Sequence, residues 1–269
     1  MIFWIASYPK SGNTWLRALL SSYLYSDDGV FNQDLLKNIG QFPEKRHFSE
    51  FNYDAKIVTD TSKYWIKAQE KINYDNKLRF FKTHNVFGKI NNRPFTNKEN
   101  SLGCIYIIRD PRNVITSLSN HYELNYEESL AWMTNHKKYI YDNRGDDDYG
   151  NFQFISSWSN HYKSWKIQKD IPIKIVRYED LLLKPYEVQE SIEHYAWALK
   201  NRREEMKGYA PVGNPLRGLM GVLKKGNTWV EGSYKSPEEL CLELQIVSKR
   251  TQFLRQQAKK KELFNIEFE

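Results

Sequence analysis

Cysteine is scarce in this sequence, and long apolar runs are missing. The 269 residues include 2 cysteines, Cys104 and Cys241, which lie far apart in a strand-like and a helix-like context. A disulfide framework or a cysteine-ligated zinc site therefore has no support. No stretch reaches the roughly 18 consecutive apolar residues that a membrane helix needs, and the apolar start at residues 2–6 is too short for a signal peptide. We expect a cytoplasmic protein with no membrane span, in which both thiols lie in the core.

Internal repeats and Pro/Gly/Ser-rich linkers are absent as well, so nothing in the sequence marks a repeat array or a domain boundary. What the sequence does contain is 40% hydrophobic and 15% aromatic residues, among them 8 Trp, 18 Tyr and 14 Phe. That content is typical of a folded globular protein and argues against disorder. The composition therefore predicts a single domain over residues 1–269.

Basic residues outnumber acidic residues, with 40 Lys and Arg against 33 Asp and Glu and a formal net charge of +7. An excess of this sign favours an anionic partner, and it leaves nucleic acid, nucleotide and acidic lipid open. Because the excess is not concentrated in one tail, it does not by itself locate a binding surface.

Strand-like and helix-like segments alternate along the chain. Strands are predicted at residues 2–6, 78–83, 104–108 and 173–176, and the third is apolar enough to be buried on both faces, as parallel strands usually are. Helical spacing is found at residues 15–24, 62–72, 114–124, 127–139, 152–165, 185–199 and 237–257. This alternation predicts an α/β fold with a central, mainly parallel β-sheet flanked by helices.

A cationic residue lies at or just past the end of each predicted strand. In chain order these residues are Lys10, Lys82, Arg109 and Arg177. In an open parallel sheet, ligands bind in the crevice outside the carboxyl ends of the strands. We therefore expect an anion-binding crevice at this edge of the sheet.

The loop after the first strand has the features of a phosphate-binding turn. Gly12 lets the backbone approach an anion, Asn13 or Thr14 is predicted to cap the next helix, and the amino end of that helix favours negative charge. Lys10 supplies a mobile charge next to Ser11. The loop is not a Walker A motif, because the upstream glycine is missing and the lysine precedes Gly12. From the pattern alone, a plain strand-to-helix turn stays an alternative.

A second anion site is predicted after the third strand. Arg109-Asp110-Pro111-Arg112 stands at a helix start, with Ser117 further into the helix. Two separated anion sites indicate a ligand that is phosphorylated at two places. Taken alone, Arg109 with Asp110 is also compatible with a structural ion pair.

His84 follows Lys82 by two residues, so in an extended chain both side chains point to the same side of the sheet edge. That geometry suits a base beside a cation. The other five histidines are interpreted as structural or surface residues, with His47 kept as a reserve because its loop could reach a pocket; they are His47, His121, His136, His161 and His194.

Together these motifs resemble those of the sulfotransferases that use 3′-phosphoadenosine 5′-phosphosulfate (PAPS). Residues 8–16 (Tyr-Pro-Lys-Ser-Gly-Asn-Thr-Trp-Leu) resemble the family's 5′-phosphosulfate-binding loop. Residues 108–114 with Ser117 resemble its 3′-phosphate-binding strand and helix, and residues 82–84 resemble its catalytic segment. Residues 178–181 (Tyr-Glu-Asp-Leu) resemble the family's segment whose tyrosine lies near the adenine. Near the C-terminus, Lys224, Lys225 and Gly226 resemble the segment that closes over the nucleotide. The sequence departs from the pattern at Asn13, where cytosolic members usually have threonine, and at Lys224, which replaces an arginine.

The resemblance implies a P-loop-like three-layer fold and a sulfuryl transfer from PAPS that needs no metal. The acceptor would be a hydroxyl or amine of a small molecule or glycan, and the product would be adenosine 3′,5′-bisphosphate (PAP). The resemblance also implies a role for each matched residue: His84 as general base; Lys10, Lys82 and Thr14 with the amides of Ser11, Gly12 and Asn13 at the leaving group; Arg109 and Ser117 at the 3′-phosphate; Trp15 and Tyr178 beside the adenine; and Lys224, Lys225 and Gly226 over the nucleotide.

Two other functions stay open at this point. A P-loop kinase of small molecules would share the fold and use ATP, but it requires a lysine directly after the last glycine of the loop. A non-catalytic nucleic-acid-binding protein would use the positive charge and the aromatic residues along an open groove. The convergence of the basic residues on strand ends favours a pocket instead, with no nucleic acid as partner. The acceptor and the oligomeric state are not readable from the sequence.

Overall fold

The computed structural model describes residues 1–141 and 148–206. The described residues of Met1–Ser26 and Phe31–Val188 belong to one compact unit, and Asp27–Val30 with residues 189–206 belong to another. The helix predicted at residues 237–257 lies outside the described part of the chain, as does Cys241. The single domain over residues 1–269 therefore stays a prediction.

Strands and helices alternate through the described residues. The strands are β1 Ile2–Ser7, β2 Gly40–Gln41, β3 Arg79–Thr83, β4 Lys89–Ile90, β5 Arg93–Pro94, β6 Ser101–Ile108, β7 Tyr139–Ile140, β8 Gln153–Phe154 and β9 Ile173–Arg177. The α-helices are α1 Asn13–Tyr25, α2 Trp65–Ile72, α3 Pro111–Tyr122, α4 Tyr126–Thr134, α5 Trp158–Ile167, α6 Tyr178–Leu183 and α7 Pro185–Met206. Short 3₁₀ helices lie at Gln33–Asn38, Lys45–Phe48, Asp60–Tyr64 and Tyr149–Asn151.

The main sheet has five strands in the order β2-β3-β1-β6-β9. All its pairings are parallel, and β1 lies at the centre, with Ala6 opposite Thr83 of β3 and Tyr106 of β6. The α/β fold and its parallel sheet are therefore confirmed. Because the chain leaves β1 first toward β3 and later returns to the other side at β6, the crevice expected of such sheets lies at the carboxyl end of β1.

Burial explains why the central strands read as continuous apolar runs. Every residue of β1 is buried, as parallel strands covered on both faces must be. Trp4 of β1 packs in a core cluster with Trp65 of α2 and Trp165 of α5. Cys104 is a buried free thiol in the same cluster, as predicted. The buried centre of the sheet thus carries the loop that follows β1.

The helix predicted at residues 152–165 is wrong in its first half. Gln153–Phe154 forms β8, which pairs with Tyr139–Ile140 in an antiparallel ribbon. Ser156 has a left-handed backbone with a φ of 55°, and the Ser157 hydroxyl then accepts from the Asn160 amide as the N-cap of α5. The apolar stripe therefore continues through an extended segment before the helix begins. The helix predicted at residues 127–139 likewise ends at Thr134, because Asn135 is extended.

Candidate active site

The loop between β1 and α1 is held in an unusual backbone conformation. Lys10 and Gly12 both have positive φ, 65° and 94°. A left-handed residue other than glycine costs roughly 1–2 kcal/mol. An Arg109 Nη1 bond of 2.9 Å to the Lys10 carbonyl fixes this turn from the end of β6. The strained residue is thus also the one that carries the predicted cation.

The N terminus of α1 has no side-chain cap. Gly12 is the N-cap, no side chain accepts from the first turn, and that turn contains no acidic residue. The prediction that Asn13 or Thr14 caps the helix is wrong, because the Asn13 side chain turns back toward β1 and Thr14 is exposed. The positive end of the helix dipole is therefore open to an anion.

Tyr178 joins three strand ends at this loop. Its ring lies so close to Gly12 that a Cβ at that position would overlap it. The Arg109 guanidinium lies over the same ring, with 4.4 Å between Cζ and the ring centroid. Tyr178 begins α6, directly after β9. The ends of β1, β6 and β9 therefore meet here, as the strand-end residues predict.

Two donors at this place have no internal partner. The Ser11 hydroxyl and Arg109 Nε are both buried and make no hydrogen bond within the described residues. A buried donor without a partner costs about 1–3 kcal/mol. Together with the open start of α1, these donors fit an anionic group.

The start of α3 differs from the predicted second anion site. Its N-cap Asp110 accepts from the Arg112 amide at 2.9 Å, and Pro111 occupies the first turn. The Asp110 carboxylate also pairs with the Arg112 guanidinium at 2.5 Å, which holds the pKa of Asp110 at about 2. The ion pair therefore joins Asp110 to Arg112 and leaves Arg109 to the Lys10 carbonyl. A carboxylate already occupies this helix start.

His84 is fixed by backbone bonds from a distant segment. Its amide donates to Gln153 Oε1 at 2.7 Å, and its carbonyl lies 3.0 Å from His161 Nε2. The buried Tyr106 hydroxyl lies 2.7 Å from the other nitrogen of His161. In addition, Trp165 Nε1 donates to the Asn85 carbonyl at 2.9 Å. The chain around His84 is thus anchored on both sides, by β8 and α5.

The ring of His84 has a defined tautomer in its neutral form. Nδ1 lies 2.6 Å from the Ser7 carbonyl oxygen, which can only accept a hydrogen bond. Nδ1 therefore carries the proton, and Nε2 has the free lone pair. Burial and the nearby Lys82 charge lower the pKa of His84 well below its ordinary value of 6.5. At neutral pH the ring is uncharged and can accept a proton at Nε2.

The cations near His84 repel one another. Burial, Arg17 and Lys10 lower the pKa of Lys82 to about 8, although Glu44 opposes the shift. Burial and Arg109 lower the pKa of Lys10 as well. Arg17 is held in place by Nη2 bonds to the carbonyls of Leu36 and Ile39. A bound anion would relieve this repulsion, so the charge pattern favours an anionic ligand.

The remaining predicted residues lie as follows. Trp15 is buried on α1, and Ser117 is partly buried on α3. Lys224, Lys225 and Gly226 lie outside the described residues. His47 has Nδ1 3.1 Å from the Glu44 amide, and His161 is fully buried.

Sequence reasoning missed three residues that support the site: Arg17, His161 and Gln153. Arg17 could have been found, because it is the one charged residue of α1. His161 and Gln153 gave no local signal, since they lie 77 and 69 residues along the chain from His84, respectively.

Among the described residues, no cluster of three or more His, Cys, Asp or Glu side chains could hold a metal ion. The same part of the chain has no helix with the length and hydropathy that crossing a membrane requires.

Comparison with known proteins identifies relatives of this chain. Residues 2–198 match the model of the sulfotransferase domain. The chain is 25% identical to cytosolic sulfotransferase 13 of Arabidopsis thaliana over 185 residues, which cover 68% of this chain and 50% of that protein. It therefore spans about half the length of this relative. Sulfotransferase 1A1 of Rattus norvegicus is 22% identical over 245 residues, covering 83% of this chain and 75% of the rat protein.

Among solved structures, a mouse sulfotransferase complexed with PAP is similar with a TM-score of 0.42 and 16% identity, covering 93% of this chain and 84% of the mouse chain. The match to the family model extends over most of the chain and includes β1, β3, β6 and β9. The chain belongs to the sulfotransferase domain family.

Proposed function

We propose that this chain transfers a sulfuryl group from PAPS to a hydroxyl or amine of a small-molecule or glycan acceptor, with His84 as the general base. Membership of the sulfotransferase domain family supports the reaction class. The observation that carries the base assignment is the 2.6 Å contact between His84 Nδ1 and the Ser7 carbonyl, which leaves the Nε2 lone pair free.

The donor's 5′-phosphosulfate would lie at the start of α1. The helix amino end is uncapped there, and Lys10 lies beside it. The buried donors of Ser11 and Arg109, which have no partner in the described part of the chain, fit the phosphate oxygens. We place the 3′-phosphate with Arg109 and Ser117, following the family resemblance, and not at the capped start of α3.

In the proposed step, the acceptor oxygen or nitrogen attacks sulfur while its proton passes to His84 Nε2. The bond from sulfur to the bridging phosphate oxygen breaks, and that oxygen leaves with the electron pair as part of PAP. Lys10 and Lys82 would stabilise the charge that develops on it. Donors of this kind each contribute roughly 10²–10³-fold in rate when they are aimed at the developing charge.

Several roles remain part of this proposal. Thr14 would assist at the leaving group, Trp15 and Tyr178 would flank the adenine, and residues 224–226 would close over the nucleotide. We also propose one sulfotransferase-like domain over residues 1–269 and a cytoplasmic location, the latter in keeping with the name of the Arabidopsis relative.

The test compares wild type with His84→Gln on a panel of phenols, alcohols, sugars and amines, with labelled PAPS as donor. We expect kcat to fall by about 10²–10⁴-fold, because a positioned base contributes that much. The affinity for PAP, measured by calorimetry, should stay unchanged. Undiminished turnover in His84→Gln would contradict the base assignment.

Binding distinguishes this proposal from the kinase and nucleic-acid alternatives. We expect PAP to raise the melting temperature in the absence of metal, and Mg-ATP or a single-stranded oligonucleotide to have little effect. A larger shift with Mg-ATP would favour a kinase. Oligonucleotide binding that falls steeply with salt, without PAP binding, would favour a nucleic-acid-binding protein.

A further inference from the structure

The proposed base lies in a stretch of chain that side chains hold in place. β3 ends at Thr83, and backbone pairing resumes at Val86, whose amide donates to a carbonyl of β8 at 2.9 Å. Between these points the amide of His84 is bonded to the side chain of Gln153, and its carbonyl to that of His161. Because His84 is buried, either backbone group would cost stability if it were left unpaired. The position of the base therefore depends on bonds from outside the sheet.

The bond between His161 and the His84 carbonyl can have only one direction. A carbonyl oxygen only accepts, so His161 Nε2, 3.0 Å away, carries a proton. Nδ1 of the same ring lies 2.7 Å from the Tyr106 hydroxyl. Burial lowers the pKa of His161 to about 4, so the ring is neutral at pH 7 and Nδ1 accepts from that hydroxyl. Both nitrogens of this ring are thus used, one as donor and one as acceptor.

The two neutral histidines therefore carry their protons on opposite nitrogens. His84 has its proton on Nδ1, which lies 2.6 Å from the Ser7 carbonyl oxygen, whereas His161 has its proton on Nε2. If the His161 proton moved to Nδ1, the Nε2 lone pair would face the lone pairs of the His84 carbonyl oxygen. An attraction would then become a repulsion, so His161 has to remain a donor at this nitrogen.

His161 is itself fixed in place, as a residue that positions another must be. It is fully buried in α5, and its amide donates to the carbonyl of the N-cap Ser157 at 2.8 Å. The Tyr8 ring packs edge-on against the imidazole, with 5.5 Å between the ring centroids. Together with the bond from Tyr106, these contacts leave Nε2 directed at the His84 carbonyl.

Ring and backbone of His84 are held at separate points. The Ser7 carbonyl holds the ring at Nδ1, and His161 holds the backbone carbonyl. With only the first of these bonds, a shift of the backbone would turn the ring about Nδ1 and displace Nε2. Misplacing a reacting group by roughly 1 Å can lower a rate by about 10²-fold.

We propose that His161 is a positioning residue whose Nε2–H group holds the His84 carbonyl and thereby keeps His84 Nε2 directed at the acceptor. His161 acts through His84 and takes no part in the proton transfer itself. The catalytic consequence rests on the proposed function, but the direction of the bond does not.

The first test is nuclear magnetic resonance of full-length protein labelled with ¹⁵N-histidine. The His161 signals are assigned by their loss in His161→Gln. We expect wild type at pH 7 to show His161 with a protonated Nε2 and an unprotonated Nδ1. A His161 ring protonated on Nδ1, alone or in addition to Nε2, would overturn the inference.

The second test compares two amides at position 161. In His161→Asn the amide lies as close to the backbone as Nδ1 does, so it can accept from Tyr106 but is too short to reach the His84 carbonyl. We expect kcat to fall by about 10- to 100-fold, while PAP affinity stays within about twofold in calorimetry. In His161→Gln the amide nitrogen lies as many bonds from the backbone as Nε2, so it can donate to that carbonyl and should keep kcat within about threefold of wild type. Equal loss in the two variants would contradict the inference.

Tyr106→Phe is the matched control. It removes the hydroxyl at the other nitrogen of His161, so we expect a lower melting temperature, because Nδ1 is then buried without a donor. The bond to the His84 carbonyl is retained, so kcat should stay within about twofold of wild type. If Tyr106→Phe lowered kcat as far as His161→Asn, weakened packing and not the bond to His84 would be responsible, and the inference would fail.

The two kinds of measurement separate this inference from the proposed function. Should wild type transfer no sulfuryl group to any acceptor, the proposed function fails. The resonance experiment needs no turnover and no variant that alters the buried contacts of His84, so it still decides whether His161 is the donor.

Discussion

The starts of α1 and α3 follow adjacent strands of one parallel sheet, yet their first turns differ in charge and capping. The start of α1 has a left-handed glycine, no cap and no acidic residue. The start of α3 has an aspartate cap, a proline in the first turn and an arginine that pairs with the aspartate. Topology alone therefore does not make an anion site. What matters is whether the chain leaves the helix amides open or fills them with its own carboxylate.

The largest effect on PAP binding is expected from Gly12→Ala. A Cβ at this position would overlap the Tyr178 ring, and a φ of 94° is strained for alanine. The loop and the ring over it would both have to move, so we expect the affinity for PAP to fall by about 100-fold, the scale of losing one aimed donor. This affinity is measured by calorimetry with PAP. Gly88→Ala is the control, because a Cβ there meets only Val86 at an ordinary 3.5 Å. Equal PAP affinity in both variants would show that the shape of this loop is unimportant.

A pH profile tests the role of the Lys82 charge near α1. The pKa of Lys82 is about 8, so raising the pH through that value removes its charge in the free protein. We expect kcat/KM for PAPS to fall there by about tenfold per pH unit. Lys82→Arg should abolish this fall, since arginine stays charged to much higher pH. The exposed Lys89→Arg should keep the wild-type profile. If Lys82→Arg retained the same alkaline limb, another group would be responsible for it.

Thr14→Asp makes the start of α1 resemble that of α3. Thr14 is exposed in the first turn, so a carboxylate there is tolerated and should stabilise the helix by about 0.3–1 kcal/mol. The same charge repels a bound phosphate, and we expect roughly tenfold weaker PAP binding. Thr14→Asn is the uncharged control. A variant that melts higher and still binds PAP at full affinity would mean that the anion lies elsewhere.

The smallest effect on binding is expected at the start of α3. Asp110→Ala removes a helix cap, which should lower the free energy of unfolding by about 1 kcal/mol. PAP affinity should change by less than about twofold, because this exposed pair is well screened by solvent. Asp110→Asn retains a capping side chain and should be nearly neutral in urea unfolding. A large gain in PAP affinity in Asp110→Ala would indicate that Asp110 blocks a second phosphate site.

The sequence predicts the strands and the meeting of their ends for a simple physical reason. Apolar runs such as that of β1 must be buried on both faces, and parallel strands bring their carboxyl ends to one edge. This places Lys10, Lys82 and Arg109 together without any knowledge of side-chain contacts.

The side-chain contacts that the sequence did not predict depend on choices between hydrogen-bond or ion-pair partners of nearly equal strength. Asn13 can cap a helix or bind a strand, and Asp110 can pair with Arg109 or Arg112. Such choices are decided by rotamers and by residues far away in the chain, which no local pattern contains. The support of His84 by Gln153 and His161 is hidden for the same reason.

The most direct test of the account is a crystal structure of the protein with PAP bound. We predict the 5′-phosphate at the amino end of α1, within hydrogen-bond distance of Lys10 Nζ and the loop amides, with His84 Nε2 facing it across the space for a sulfuryl group. A 5′-phosphate bound at the start of α3, or a His84 ring turned away from the nucleotide, would contradict it.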